Sequence, residues 1–187
     1  LPIRSDGKLK IEISDRKIDG NPHHLVYHRR SLALGVGCER GTSGNELMAL
    51  IDETLRNNKL PRSAVSGIWT IDLKMDEPAI AEAAANLGVS LRFFSAETLE
   101  AETHRLLNPS EVVFQEVGCH GVAEAAALAA AGRDARLVVP KSKSRRTTCA
   151  IARSAEALDA KQGIRRGSLS LVGIGPGSRE WRTTECA

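Results

Sequence analysis

An apolar run that stops abruptly in glycines sets the tightest limit on how this chain can fold. Leu32-Ala33-Leu34-Gly35-Val36 runs into Gly37-Cys38-Glu39-Arg40-Gly41, and Thr42 and Ser43 then open an amphipathic segment. That order predicts a buried strand, a tight turn and a helix N-terminus. Glycine accepts positive φ and lets a backbone approach its neighbour closely. The first N–H groups of a helix have no partner within it and favour an anion. Arg40 adds a cation whose planar fork suits carboxylates and phosphates. The same residues equally suit a capped strand-to-helix turn with a Glu39–Arg40 surface pair and no ligand. The spacing of Gly35, Gly37 and Gly41 misses the dinucleotide fingerprint by one residue, and the Gly-Lys-Ser/Thr of a P-loop is lacking.

Residues 31–155 continue the alternation that this turn begins. Ser43–Asn57 carries Leu47, Leu50, Ile51 and Leu55 at helical spacing, with Ser43 and Glu46 placed for a capping box. Gly67–Ile71 reads as a strand. Asp76-Glu77-Pro78 starts a helix that closes at Gly88. Leu91–Phe94 is a strand and Ala96–Leu106 a helix. Ser110–Val117 fits either period, and the terminating Gly118 tips it toward helix. Gly121–Ala131 is an Ala-rich helix, Leu137–Val139 a buried strand and Thr148–Ala152 a last strand. The expected fold is α/β: a three-layer α/β/α sandwich around a mostly parallel or mixed sheet of about five strands.

Ligands of such sheets gather at the carboxyl ends of the strands. There the sequence puts Cys38, Glu39, Arg40, Gly41 and Thr42 after the first body strand, and Asp72, Lys74 and Glu77 after the second. Ser95 and Glu97 follow the third, and the basic run Lys141, Lys143, Arg145, Arg146 the fourth. A cleft joining these segments would mix acids, cations and hydroxyls. Loops are polar in any case, and a basic run is ordinarily a solvated one.

Residues 1–30 are polar and mixed. Lys8–Ile13 alternates with period two, Leu25–Tyr27 is a second short strand, and Asp19-Gly20-Asn21-Pro22 is a turn, so an arm or hairpin is expected that must lie on something else. Residues 156–167 read as a charged linker. Leu169–Val172 then starts a fresh strand that enters Gly173-Ile174-Gly175-Pro176-Gly177, the expected opening of a further domain over 168–187. The chain begins at Leu1, without Met, and is expected to be a piece of a longer protein.

Composition narrows the function classes. Aromatic residues are 3% of the 187, too few for the stacking platforms of single-stranded nucleic-acid proteins, and a net charge of +3 is too small to imply nucleic acid. No apolar run approaches the ~20 residues of a membrane span. Cys38, Cys119, Cys149 and Cys186 are widely spaced, which argues against a structural zinc site and for reduced thiols in a cytoplasmic protein. Cys119-His120 looks like a nucleophile and base, but adjacent residues point apart, and catalytic pairs are normally assembled across a fold. Asp72 and Lys74 would face the same side of a continuing strand and either pair together or meet a polycarboxylate.

Five segments, in order, resemble the signatures of the CbiG C-terminal, CobE-like domain of cobalamin biosynthesis: Gly35-Val36-Gly37-Cys38-Glu39-Arg40-Gly41-Thr42, Ile71–Glu77, Phe94–Leu99, Gly121–Leu128, and Lys141-Ser142-Lys143 with Thr147–Ala152. The resemblance covers about 31–155, and residues 1–30 look like the tail of the domain that precedes this module in longer CbiG proteins. Residues 167–177 resemble the opening of the tetrapyrrole methylases, which implies fusion to a precorrin-3B C17-methyltransferase. S-adenosylmethionine would then serve that downstream domain, with no cofactor or metal in this module and no methyltransferase activity from this chain alone. The resemblance implies a partner that is a precorrin or cobalt-precorrin, rich in carboxylates. The ligand residues it suggests are Gly37, Cys38, Glu39, Arg40, Gly41, Thr42, Asp72, Lys74, Glu77, Glu124, Lys141, Lys143 and Thr147. Three functions stay open: a tetrapyrrole-binding module, a catalytic part of lactone hydrolysis with acetaldehyde release using Glu39, Asp72 or Glu124 as acid or base, and a scaffold for the methylase.

Overall fold

Residues 7–167 are described by a computed structural model. The arm is made of β1 (Lys10–Ser14) and β2 (His24–His28), which pair in parallel, with Lys10 opposite His24 and Ser14 opposite His28. The arm is therefore not a hairpin. Its connection is drawn onto the body, where Lys17 N–H donates to Lys59 O at 2.8 Å and Asp15 pairs with Arg153, so the chain re-enters β2 from the same end as β1. Leu9, Ile11, Ile13, Leu25 and Tyr27 share the exposed face, while Glu12, Ser14, His24 and His28 lie on the half-buried one.

The body sheet is built around β3 (Leu32–Cys38), whose first five residues are fully buried because both faces are covered. β4 (Val65–Ile71) and β5 (Ser90–Phe94) extend it in parallel on one side. β6 (Arg136–Lys143) and β7 (Thr147–Arg153) form the other side, in the order β5-β4-β3-β7-β6. β7 is antiparallel to both β3 and β6, so β3, β4, β5 and β6 all point the same way and the sheet is mixed.

Helices α1 (Gly44–Asn57) and α2 (Pro78–Leu87) cover one face against Leu34, Val36, Ile68 and Ile151. Pro78 supplies the pre-set φ of a first helical residue, and Gly88, at φ +63°, ends the helix. On the other face α3 (Ala96–Glu100) is followed by the short α4 (Glu111–Val117) and by α5 (Val122–Ala131). α5 packs on Ala33, Trp69, Ile71 and Ala152. Its alanines matter for distance as much as for propensity: a Cβ on Gly35 would stand 1.9 Å from Ala123 O and 2.7 Å from Ala127 N, so helix and strand meet backbone to backbone.

Several local expectations change. The capping box does not form: Ser43 accepts from Asn45 N–H at 3.3 Å, but the Glu46 carboxylate leaves the helix end to take Arg146 N–H and the Ser144 hydroxyl. The helix from Ala96 stops at Glu100, and a separate 3-10 turn over Thr103–Arg105 follows. β6 runs on to Lys143, so Lys141 and Lys143 stand on the strand and not in a loop beyond it. The register slips between Val139 and Ser142, around Pro140, which has no N–H to give the ladder.

Residues 156–167 lie along the sheet. Ala160 O accepts from Ser90 and Arg92 side chains, Gln162 O accepts from the Trp69 indole at 2.9 Å, and Ile164 bridges Phe93 in both directions. The turn Gly173–Gly177 and everything read over 168–187 lie outside the described residues.

Candidate functional site

A cleft of about 550 Å³ opens at the carboxyl ends of β3 and β6. Its floor is Gly37 and Cys38 at the end of β3, with Ile71 from β4 and Gly121, Val122 and Ala123 from the start of α5. Ser110, Val113, Glu116 and Val117 of α4 make one wall. The opposite wall is the turn between β6 and β7, from Ser144 to Thr148, with Lys141 and Lys143 beside it. The helix start that lines the cleft belongs to α5 and not, as the glycine turn implied, to α1.

The glycine turn after β3 is held rigidly. Gly41, at φ +68°, donates its N–H to the buried Glu77 carboxylate at 3.1 Å, and Thr42 Oγ1 donates to Glu39 O at 2.7 Å. Arg146 straps the turn from the other side, reaching Glu39 Oε2 at 2.9 Å and Arg40 O at 2.8 Å. Arg40 points away along the surface. Its guanidinium meets Asp76 at 3.0 and 3.2 Å and Leu73 O at 3.1 Å. The Arg40 contact in turn holds the Asp76 carboxyl below its usual range.

Of the residues suggested by sequence, Gly37, Cys38, Glu39, Arg40, Lys74, Lys141, Lys143 and Thr147 line this cleft. Gly41, Thr42 and Glu77 lie behind it as supports of the turn. Asp72 does not line it and begins a 3-10 turn, its carbonyl accepting Met75 N–H at 3.0 Å. Glu124 does not line it either. That carboxylate is buried and accepts four N–H groups: Leu107 N at 2.8 Å, Asn108 N at 3.0 Å, Asn108 Nδ2 at 2.8 Å and Lys141 N at 2.8 Å. Burial pushes its pKa up, but the donors prevail and hold it below the ordinary range. A carboxylate kept ionised and fully engaged is a clamp, a poor acid and a poor base. The slip at Pro140 is what frees Lys141 N–H for it.

The Cys38 thiol is pushed up to about 11, first by burial and then by the Glu77 charge, so it stays protonated at neutral pH and is no nucleophile. Cys119 is buried, and its neighbour His120 turns to Glu100 and Glu111, so the two do not form a catalytic pair.

Charge decides what the cleft can take. Six cations line it, Arg40, Lys74, Lys141, Lys143, Arg145 and Arg146, against two acids, Glu39 and Glu116. Arg40 and Arg146 are paired, and Lys141 Nζ donates to Asn108 O at 3.0 Å. Among the described residues Lys74, Lys143 and Arg145 have no ion-pair or side-chain hydrogen-bond partner, so they are the ones free to meet an anion. Opposite them Val113, Val117, Val122 and Ala123 offer an apolar wall. Sequence reasoning placed helices over Ser110–Val117 and from Gly121 but gave neither a part in the cleft, and it missed Glu116.

Residues 32–152 match the family model described as "Cobalamin synthesis G C-terminus". The chain is 46% identical to Protein CobE of Sinorhizobium sp over 121 residues, which is 65% of this chain and 79% of that protein. It is 34% identical to the cobalt-precorrin-5A hydrolase of Priestia megaterium over 68% of this chain, but spans only 33% of that enzyme's length. Among solved structures it is similar to CobE, a protein from the cobalamin (vitamin B12) biosynthetic pathway, with a TM-score of 0.62 and 38% identity over 66% of this chain and 89% of that one. It is also similar to the cobalamin biosynthesis protein chiG of Agrobacterium tumefaciens, with a TM-score of 0.53 and 34% identity over 67% of this chain and 99% of that one. A longer cobalamin biosynthesis protein G homolog from Sulfolobus solfataricus shares the fold at 23% identity, over 82% of this chain and 47% of its own.

Proposed function

This chain belongs to the cobalamin synthesis G C-terminus family, and we propose that it is the part of a cobalamin-biosynthetic protein that holds a carboxylate-bearing precorrin or cobalt-precorrin. The observation that carries this reading is the pairing, across one cleft, of an apolar wall from α4 and α5 with the unpaired cations Lys74, Lys143 and Arg145. A corrin precursor has an apolar macrocycle rimmed by acetate and propionate groups, and the unpaired cations at the mouth of the cleft give its carboxylates charge-assisted contacts.

Binding is favoured over hydrolysis by the state of the candidate acids and bases. Glu124 is saturated with donors, Cys38 is protonated, Asp72 is outside the cleft, and Glu39 is committed to Arg146. The chain spans a third of the Priestia hydrolase, so lactone opening is read as work of a larger protein. The sequence Gly173-Ile174-Gly175-Pro176-Gly177 supports a further reading, fusion to a precorrin methylase. S-adenosylmethionine would belong to that domain, and no step in this cleft depends on it.

Titration of the chain with cobalt-precorrin-5A, followed by absorbance and by release of acetaldehyde, tests the reading. Saturable spectral change without acetaldehyde is the expected result. Acetaldehyde release would assign the module a catalytic role, and no spectral change at all would leave it a scaffold.

A further inference from the structure

The wall of the cleft formed by α4 rests on the body through the half-buried Val117, which packs against the core, and its polar side-chain contacts with the body meet at one residue, His120. None of the residues of α4 is buried, and Val112 and Phe114 are 65% and 40% exposed. The helix begins where Ser110 N–H donates to His120 O at 2.8 Å and ends at Gly118, at φ +77°. Between those points its polar and aromatic side-chain contacts converge on the His120 ring. Glu111 Oε1 stands 3.3 Å from Nε2, and the Phe114 ring stacks on the imidazole at 4.5 Å and 25°. The other side of the ring is anchored to the body, with Nδ1 at 2.9 and 3.0 Å from the Glu100 carboxylate, which also takes His120 N–H at 3.0 Å and is steadied by Thr103 Oγ1.

Neutral imidazole has one N–H, and an ionised carboxylate only accepts. Both ring nitrogens face carboxylates, so the two hydrogen bonds coexist only on the imidazolium. The stack on Phe114 also strengthens when the ring is cationic. Loss of the proton leaves the better-placed Glu100 contact and gives up the Glu111 bond and the cation–π term together. We propose that His120 is a proton-operated latch that holds α4 closed over the cleft when charged and frees it when neutral. That the latch governs corrin entry rests on the function proposed above; the latch itself does not.

The charges that act on His120 come from Glu100 on α3 and Glu111 on α4. The Glu100 hydrogen bond raises its pKa most, burial opposes it, and Glu111 adds to the rise. Release is therefore expected above the ordinary histidine range of about 6.5.

The test follows the His120 ring and the Val113 and Val117 methyl groups by NMR as pH is raised on the whole chain. The valine signals should move with the midpoint of His120. In Glu111→Gln they should follow it only weakly, through the remaining Phe114 stack, while His120 still titrates against Glu100. Valine signals that stay fixed while His120 titrates, or that follow it unchanged in Glu111→Gln, overturn the latch. A second arm measures association of uroporphyrin, a polycarboxylate tetrapyrrole, across the same range. Its rate should rise about fivefold as the latch opens, and Glu111→Gln should show a smaller rise from a faster starting rate. A titrating latch with no uroporphyrin binding at any pH leaves the latch standing and counts against the corrin cleft. Binding with the same flat rate in both proteins removes the latch as its regulator.

Discussion

The Glu124 carboxylate lies 2.8 Å from the backbone nitrogen of Lys141, and through that bond the first turn of α5 holds the edge strand β6 at the mouth of the cleft. Replacing Glu124 by Ala leaves its backbone and amide donors without an acceptor. The expected loss is about 3 kcal/mol in urea unfolding, with Glu124→Gln costing about half as much. Because the folded pKa is lowered, the contribution is complete above the ordinary carboxylate range and disappears as pH falls through the lowered value. Wild-type stability should therefore drop in acid more steeply than that of Glu124→Gln. Equal acid profiles would show that the clamp is not ionised.

Gly35→Ala should be among the most damaging single substitutions. The added methyl would meet Ala123 O at 1.9 Å, a backbone atom that cannot rotate away. Displacing α5 costs about 3 kcal/mol or more by the overpacking rule. Thermal unfolding measures it, and a shift within error of wild type would mean that the helix stands further from the sheet than described.

Anion binding should depend on the free cations at the mouth of the cleft and not on Arg40. Lys143→Ala combined with Arg145→Ala is expected to weaken uroporphyrin binding about tenfold or more, with a shallower salt dependence than wild type. Arg40→Ala, whose guanidinium is already paired with Asp76, should change affinity about twofold at most. The reverse ranking in equilibrium titrations would return Arg40 to the ligand.

Cys38 should react slowly with iodoacetamide at neutral pH and speed up only as pH nears its raised value of about 11. Mass spectrometry of the labelled peptide follows this. Rapid labelling at pH 7 would mean a thiolate, and a chemistry that the cleft otherwise lacks.

The frame of the molecule was legible where one residue carries its own geometry. Pro78 and Gly88 bracket α2, Gly118 and Gly132 close α4 and α5, and the buried runs of β3 and β4 reveal a two-sided sheet. What stayed hidden is long-range and polar. Glu46 was well placed to cap its own helix but found better donors at Ser144 and Arg146, about a hundred residues on. Ala160 and Gln162 are held through their own main-chain carbonyls, which accept from Ser90, Arg92 and Trp69; a carbonyl leaves no mark in a sequence, so the segment looked like a linker. The parallel pairing of the arm is set by a backbone contact at Lys59 that no pattern of side chains announces. Arg40 was visible as a cation, but its direction was not.

The two-way bridge between Ile164 and Phe93 has a consequence for solubility. An outermost strand displays unsatisfied amide groups to which a neighbouring molecule can add, the usual first step toward fibrils. With β5 occupied by its own chain and β6 interrupted at Pro140 and studded with lysine, the five-stranded sheet offers little template at either margin. Removing residues 156–167 should therefore raise aggregation, measured by light scattering, before it alters the cleft.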